Sequence, residues 1–382
     1  MQKPPRHTLW ITFWVLALCQ PLNGCGPLTE TPLPPLTQPP PAPVTLTPFQ
    51  PSGLVPANPP AGYGAHGAWL DLYFTDPQNP LSAQETGGLD SVMAASIDGA
   101  RLSVDVAIYN LTNDAIRNAL LRAYQRGVQV RIVMESDNRD KDDPQKLMEA
   151  GITVLGDRRE GLMHNKFIVI DRSEVWLGSM NFTDTGVYKD NNNMLLVRSV
   201  KLAENYTKEF EEMFIDDKFG PDTVSATPNP SLTIDGTLLE NYFAPDDAPA
   251  FSLLPLLQNA QQSIYFMAYS FTSDSLGEAI RTRAAEGVTV AGVMDAEQIQ
   301  SNIGTEYDLF KQAGLDVRAD GNAGLMHHKV LVIDEEIVVT GSYNFTNSAE
   351  TRNDENLVII YDPQVAAYFL QEFQRLFTQA QP

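Results

Sequence analysis

Cysteine is nearly absent from this 382-residue sequence: only Cys19 and Cys25 occur, both close to the N-terminus. The rest of the chain can therefore hold neither a disulfide framework nor a thiolate metal site. A chain of this length buries enough surface to fold without disulfides even in an oxidising compartment. Histidine is also scarce, with five residues, and basic charge is in deficit: 26 Lys and Arg against 48 Asp and Glu give a net charge of −22. Lys3 and Arg6 are the only Lys, Arg, Asp or Glu residues among the first 25, so the remainder carries −24. Such an excess repels polyanions at long range and weighs against a nucleic-acid partner, although a local basic funnel can coexist with an acidic exterior. No apolar run reaches the roughly 20 residues of a membrane-spanning helix.

The N-terminal charge pattern has its own meaning. Lys3 and Arg6 precede an apolar run from Leu9 to Leu18, interrupted by Thr12, and Gly24 offers a small residue for cleavage. Residues 1–25 thus read as an export signal. Leu22-Asn23-Gly24-Cys25 resembles a bacterial lipoprotein box with Cys25 as the lipid acceptor, though Asn23 departs from the small apolar residue usual there. Two destinations stay open: a cell envelope, lipid-anchored through Cys25, or secretion with Cys25 unmodified. Residues 26–64 are rich in Pro and Thr, cannot form a core, and read as a semi-extended linker.

What the chain does have is one constellation written twice. His164, Lys166, Asp171, Gly178, Ser179 and Asn181 recur as His327, Lys329, Asp334, Gly341, Ser342 and Asn344, each step being the 163 positions from 164 to 327. The shared pattern is H-x-K-x4-D-x6-G-S-x-N. It lies in a longer match that includes Gly161-Leu162-Met163 with Gly324-Leu325-Met326, and Glu209-Phe210 with Glu372-Phe373. Upstream the step shortens to 160, pairing Gly127-Val128 with Gly287-Val288 and Tyr109 with Tyr269. Two long repeats cannot make a solenoid, which needs at least three small ones. They read as a duplicated domain with a pseudo-twofold axis, with half 1 at 65–220, a Pro- and Gly-containing connector at 221–236, and half 2 at 237–382.

Periodicity predicts strands in half 1 at 102–109, 128–134, 167–170, 175–177 and 194–197, with helices at 113–126, 141–150 and 201–214. Half 2 repeats the order, with strands at 263–269, 288–294, 330–333, 337–339 and 357–361 and helices at 276–286, 306–313 and 364–377. Alternation of this kind argues for α/β layers and puts both motif histidines at strand starts. Side chains two apart on a strand share a face, so His164 and Lys166 project together, as do His327 and Lys329. An imidazole beside an ammonium suits phosphate, and the Asn amides and Ser hydroxyls of the motif add donors for the oxygens of a transferring phosphoryl group.

On these twin motifs the sequence resembles the phospholipase D superfamily over roughly residues 65–380. The resemblance implies an α/β, duplicated phospholipase D-like fold of two mixed-sheet α/β/α halves. It implies a two-step reaction in which one histidine attacks phosphorus and forms a phosphohistidine while the other protonates the leaving alcohol. By that similarity His164 is the nucleophile and His327 the acid. Lys166, Lys329, Asp171 and Asp334 complete the catalytic set, and Ser179, Asn181, Ser342 and Asn344 bind the substrate phosphate. Glu355 sits where members carry an acidic residue that orients the motif histidine; its counterpart is Asn192. No metal or cofactor is required in such a scheme, and a monomer carries both halves of the site.

Blander readings stand beside several of these. Asp171 and Asp334 suit a turn as well as a catalytic role, His328 reads as a surface or satisfied core residue, and Asn193 and Asn356 as strand-edge residues. Arg158, Arg159, Lys189 and Arg352 suit solvated ion pairs as well as phosphate. Three functions follow: an exported phospholipase D-type hydrolase of phospholipid diesters, a metal-independent endonuclease with a basic groove and steep salt dependence, or a non-catalytic phosphate-binding envelope protein. Fold alone does not choose among them.

Overall fold

The computed structural model describes residues 53–381. The expected export segment with Cys25, and the expected linker up to residue 52, lie outside the described residues. Half 1 runs β1 (Val55–Ala57), β2 (Gly62–His66), β3 (Leu70–Thr75), α1 (Leu89–Gly99), β4 (Ser103–Ile108), α2 (Asp114–Gln125), β5 (Gln129–Met134), α3 (Asp142–Glu149), β6 (Thr153–Gly156), β7 (Lys166–Ile170), β8 (Glu174–Gly178), α4 (Asp184–Tyr188), β9 (Asn193–Arg198) and α5 (Val200–Phe214). Half 2 follows with β10 (Ser231–Ile234), β11 (Thr237–Ala244), α6 (Pro249–Asn259), β12 (Ser263–Ala268), α7 (Asp274–Ala285), β13 (Thr289–Met294), α8 (Ala296–Ser301), α9 (Tyr307–Gln312), β14 (Asp316–Ala319), β15 (Lys329–Ile333), β16 (Ile337–Gly341), α10 (Asn347–Thr351), β17 (Glu355–Tyr361) and α11 (Pro363–Gln379). No helix among the described residues is long and apolar enough to cross a membrane.

Each half builds one mixed sheet. The first has the order β1-β2-β3-β9-β8-β7-β4-β5-β6 and the second β10-β11-β17-β16-β15-β12-β13-β14. Apart from β1 the two orders correspond strand for strand. Only β4-β5-β6 and β12-β13-β14 run parallel, and these are the strands joined by helical crossovers, as parallel neighbours require. The α2 crossover starts at Asn113, whose side chain accepts from Ile116 N–H, as an N-cap should.

Alternation along the strands divides the core. Phe167 and Val169 of β7, with Val330 and Val332 of β15, face a central cluster shared by the two sheets; Ile168 and Ile170 face the outer layer of half 1, and Leu331 and Ile333 that of half 2. The closing helices α5 and α11 supply Tyr206, Phe210, Phe369 and Phe373 to the central cluster. Covered on both faces, β4, β7 and β15 are buried throughout, which explains why they read as short apolar runs. The two sheets with their helices form the duplicated α/β architecture that the repeat implied.

Two boundaries need correction. The folded body begins before residue 65, because β1 and β2 pair with each other and β2 with β3. The glycines of β2 are there for close approach: a Cβ on Gly64 would lie 1.9 Å from the Leu72 carbonyl oxygen. Tyr63 then hydrogen-bonds Glu372 of α11 in half 2. The connector 221–236 likewise contains β10, which turns at Asp235-Gly236 into β11 and buries Leu232. Asp-Gly between two strands is a hairpin signal, with both residues at positive φ. A chain beginning at Gly67 is therefore expected to lose several kcal/mol of stability relative to one beginning at Gly53, since it loses two paired strands and leaves Glu372 without Tyr63. Urea unfolding of the two chains, compared by midpoint, checks this.

Candidate active site

Neither histidine lies on its strand; each sits two residues before it, in a segment paired with the opposite half. His164 N–H donates to the Asp354 carbonyl at 3.0 Å and Asp354 N–H to Leu162 at 2.9 Å. The mirror contacts are His327 N–H to Asn191 at 2.9 Å and Asn191 N–H to Leu325 at 2.8 Å. These two short bridges, Met163 with Asp354 and Asn191 with Met326, bring both motifs to the boundary between the halves. A carboxylate secures each segment from its own half: Glu135 accepts Met163 N–H and Asp295 accepts Met326 N–H, both at 3.0 Å.

The side chains cross the same boundary. His164 Nδ1 lies 2.8 Å from Glu355 Oε2, which also accepts the Ser342 hydroxyl at 2.6 Å. His327 Nδ1 lies 3.0 Å from Asn192 Oδ1, which accepts the Ser179 hydroxyl at 2.8 Å. Asn192 Nδ2 donates to the Gly186 carbonyl, fixing Oδ1 as the acceptor, and a carboxylate only accepts. Nδ1 therefore carries the proton in both rings, and Nε2 is left as the reactive nitrogen. The rings of Tyr109 and Tyr269 stand edge-on to His164 and His327, with centroids at 5.2 and 4.7 Å. Lys166 and Lys329 each donate to their own histidine's carbonyl, at 2.7 and 2.8 Å, and lie against the same tyrosines.

This is a crowded set of basic groups. Burial, with nearby Lys166 and Lys329, pushes His164 down to about 4 despite Glu355. His327 is held well below the ordinary imidazole value by burial and Lys329. Burial lowers Lys166 to about 7 and takes Lys329 well below the usual amine range, helped by Lys166. Burial alone would raise Glu355, but His164, Lys166 and Ser342 hold it low. Glu355 is the one carboxylate hydrogen-bonded to these four basic groups, with Asp190 and Asp295 acting on Lys329 from farther off, and an added phosphate anion would favour their protonated forms.

Several expected residues take other places. Asn181 and Asn344 keep their amides without hydrogen-bond partners, Oδ1 being buried in each, and this suits substrate contact. Ser179 and Ser342 do not: each hydroxyl is fully buried and commits its single proton to Asn192 or Glu355. They hold the residues that hold the histidines. Asp171 and Asp334 are also corrected. They lie beyond the far ends of β7 and β15, seven residues from the histidines and so roughly 20 Å away at strand rise. Asp171 accepts from the backbone N–H of Arg101, Leu102 and Ser103; Asp334 from those of Gln261, Gln262 and Ser263. His328 is a satisfied core residue between Asn193 and Glu372, at 2.9 Å from each. The part of Asn192 as the partner of His327, and those of Tyr109, Tyr269, Glu135 and Asp295, were not legible in the motif; register in the repeat was the available signal for the tyrosines. Among the described residues no three of His, Cys, Asp and Glu converge as a metal-binding group.

Asp171→Ala is expected to cost about 1–2 kcal/mol by leaving three backbone donors to water, with Asp171→Asn recovering part of it, while the folded variants bind phosphate analogues as before. Chemical denaturation with a parallel binding titration measures both. Anion binding itself should depend on pH. The anion favours protonated Lys166, whose free-state value near 7 means that proton uptake accompanies binding above that pH. Tungstate affinity, followed calorimetrically, is expected to weaken by up to about tenfold per pH unit above neutrality, and a flat profile would contradict this.

The family described as cardiolipin synthase, PLD-like domain matches the chain twice, over residues 93–214 and 253–377. The mitochondrial cardiolipin hydrolase of Mus musculus is 35% identical over 130 residues, which is 34% of this chain and 58% of that protein. The phospholipase D of Rickettsia typhi is 34% identical over 131 residues, 34% of this chain and 64% of that protein. The chain thus spans less than two thirds of either relative. The solved phosphatidylserine synthase of Haemophilus influenzae Rd KW20 shares the fold, with a TM-score of 0.61 at 14% identity over 78% of this chain and 85% of that one. With two matched segments that together cover most of its length, the chain belongs to the phospholipase D superfamily, in the family of cardiolipin synthase, PLD-like domains.

Proposed function

We propose that this protein is a phosphodiesterase that hydrolyses phospholipid diesters, with His164 as nucleophile and His327 as general acid. The observation that carries the assignment of roles is the unequal support of the two rings: a carboxylate, Glu355, behind His164 and a neutral amide, Asn192, behind His327. As His164 Nε2 attacks phosphorus, positive charge develops on its ring, and the buried Glu355 carboxylate stabilises it. An acid must instead release its proton, which an amide partner favours more than a carboxylate would.

In the first step an N–P bond forms at His164 and the P–O bond to the leaving alcohol breaks, the alcohol oxygen taking the proton from His327 Nε2. In the second, His327 accepts a proton from water, whose oxygen attacks phosphorus, and the N–P bond breaks to give a phosphomonoester and free His164. Lys166, Lys329 and the amides of Asn181 and Asn344 surround the phosphoryl oxygens. The diester's own charge raises His327 in the complex, so the free-state depression does not prevent it from arriving protonated.

Charge favours a lipid over nucleic acid. The net charge is −22, and the cations that flank the motifs are each paired with a carboxylate: Arg158 with Asp217, Arg159 with Asp354, Lys189 with Glu85 and Arg352 with Glu160. A polyanionic strand finds no basic track there, and the relatives named for cardiolipin hydrolysis and phospholipase D activity support the same reading. The Lys3–Leu18 pattern and the box ending at Cys25 support export, either anchored in a bacterial envelope or secreted. That one chain supplies both histidines supports action as a monomer.

Headgroup release from mixed phospholipid vesicles and nicking of plasmid DNA, run side by side with chelator for wild type, His164→Ala and His327→Ala, test the proposal. Vesicle hydrolysis that falls at least about thousandfold in both variants is the expected result. Silent vesicles with histidine-dependent nicking would make the protein an endonuclease, and inertness toward both would leave a phosphate-binding protein. Asn192→Asp is expected to raise His327 and move the basic limb of the kcat/KM profile up by about one pH unit.

A further inference from the structure

The pseudo-twofold axis fails most at one place beside the site. On the His164 side, Arg159 fills the space between the halves: its guanidinium donates to the Arg352 carbonyl at 2.6 Å and pairs with Asp354. Gly220, at the end of half 1, closes over it, its N–H donating to Asp354 at 2.5 Å. A Cβ there would lie 2.3 Å from the Arg159 guanidinium, so nothing larger fits.

The equivalent positions on the His327 side are Asn322 for Arg159, Lys189 for Arg352 and Asn191 for Asp354. Asn322 is short; its amide donates to the Lys189 carbonyl at 2.8 Å and reaches the Leu325 carbonyl at 3.4 Å. The arginine that fills one side has only this short amide in its place on the other. A second asymmetry walls it. Between β3 and α1 half 1 has thirteen residues, 76–88, where half 2 has four, 245–248, between β11 and α6. The longer loop stands opposite residues 322–324 and encloses a cavity of about 400 Å³ lined by Pro77, Ala83, Tyr188, Lys189, Asn322 and Ala323 among others. That is the scale of a small-molecule site. Its walls are mainly apolar, and the one ammonium, Lys189, is paired with Glu85 at 3.2 Å.

From the cavity the chain leads directly to the acid. Gly324 stands three residues before His327, and Lys189 three before Asn192, the residue that holds the His327 ring. The Lys189–Asn192 segment and the 324–327 segment are the two strands of the short bridge described above. In an in-line displacement the leaving oxygen departs opposite the nucleophile. With His164 attacking, the leaving alcohol and whatever it carries point to the His327 side.

We infer that this cavity is the subsite for the leaving alcohol and that it selects alcohols carrying a hydrocarbon part over small hydrophilic headgroups. The inference rests on the phospholipid reading and on the roles assigned to the two histidines. The filled His164 side gives the retained phosphatidyl group no matching pocket between the halves, so the substrate is taken in one direction.

Two synthetic diesters test it: phosphatidyldecanol and phosphatidylmethanol share the retained phosphatidyl group and differ only in the leaving alcohol. Both are presented in the same detergent micelles to the full-length protein. Wild type is expected to favour the decyl ester in kcat/KM by at least about tenfold. Ala323→Trp and Ala83→Trp, which fill the cavity from opposite walls, are each expected to reduce that ratio by about tenfold. Gln258→Trp, in a separate surface groove between α6 and α7, should keep the wild-type ratio. Because the readout is a ratio within one protein sample, loss of folded material cancels. An unchanged ratio in both cavity variants, or a wild type indifferent to the alcohol, overturns the subsite while leaving the phosphodiesterase reading intact. Failure of wild type to cleave either ester, with His164-dependent plasmid nicking retained, overturns the lipid reading and the subsite with it.

Discussion

Four basic side chains, two histidines and two lysines, share one buried space with a single carboxylate bonded into it, Glu355. That imbalance is the constraint on which the rest depends. Burying charge without compensation is costly, so the protein has to position these groups by other means. It uses backbone: the lysines are tied to histidine carbonyls, and the histidine segments are bridged to the other half. The tyrosines add apolar edges and π faces that tolerate an ammonium without adding charge. The site is thereby organised in the absence of any anion, and an anion bound there would favour the protonated forms that burial now disfavours.

Duplication provides the symmetry, and divergence decides what it is used for. The equivalences Glu355 with Asn192, Arg159 with Asn322, and the long 76–88 loop with the short 245–248 loop each break the axis on a definite side. Glu355 gives the His164 ring a charged support, and the cavity bordered by Asn322 and Gly324 lies on the His327 side of the boundary. Under the roles proposed for the two histidines, both differences favour one direction of the reaction. Further from phosphorus the symmetry persists: Asn356 bonds Asn165 as Asn193 bonds His328, and Glu209 and Glu372 back these pairs from α5 and α11.

The sequence made the fold class, the duplication and both motif histidines legible, because a repeated pattern of six residues leaves few alternatives. Buried strands such as β7 and β15 also stood out as short β-branched runs. Less visible were elements whose reason lies elsewhere in the chain. Gly62 and Gly64 look like linker until β3 is placed beside them, and β10 is short with one buried residue. The turn reading of its aspartates was available from the strand bounds, but the motif could not reveal that its serines face inward, since spacing along a strand does not show what each side chain meets. Glu355 was identifiable as a histidine-orienting residue, but its particular partner across the halves follows from tertiary pairing.

The cross-half pairing has a consequence in time. Glu355 follows His164 by 191 residues and Asn192 precedes His327 by 135, so no local stretch of chain contains a supported histidine. Contacts of such long sequence separation close late, after the entropy of large loops has been paid. During synthesis, a chain that has emerged as far as α10 possesses both motifs and both lysines, yet His164 still lacks its carboxylate and Glu372 of α11 is not there to brace His328. The supported pair of rings therefore does not build up gradually with chain length; it is complete only once the last strand and helix are laid down.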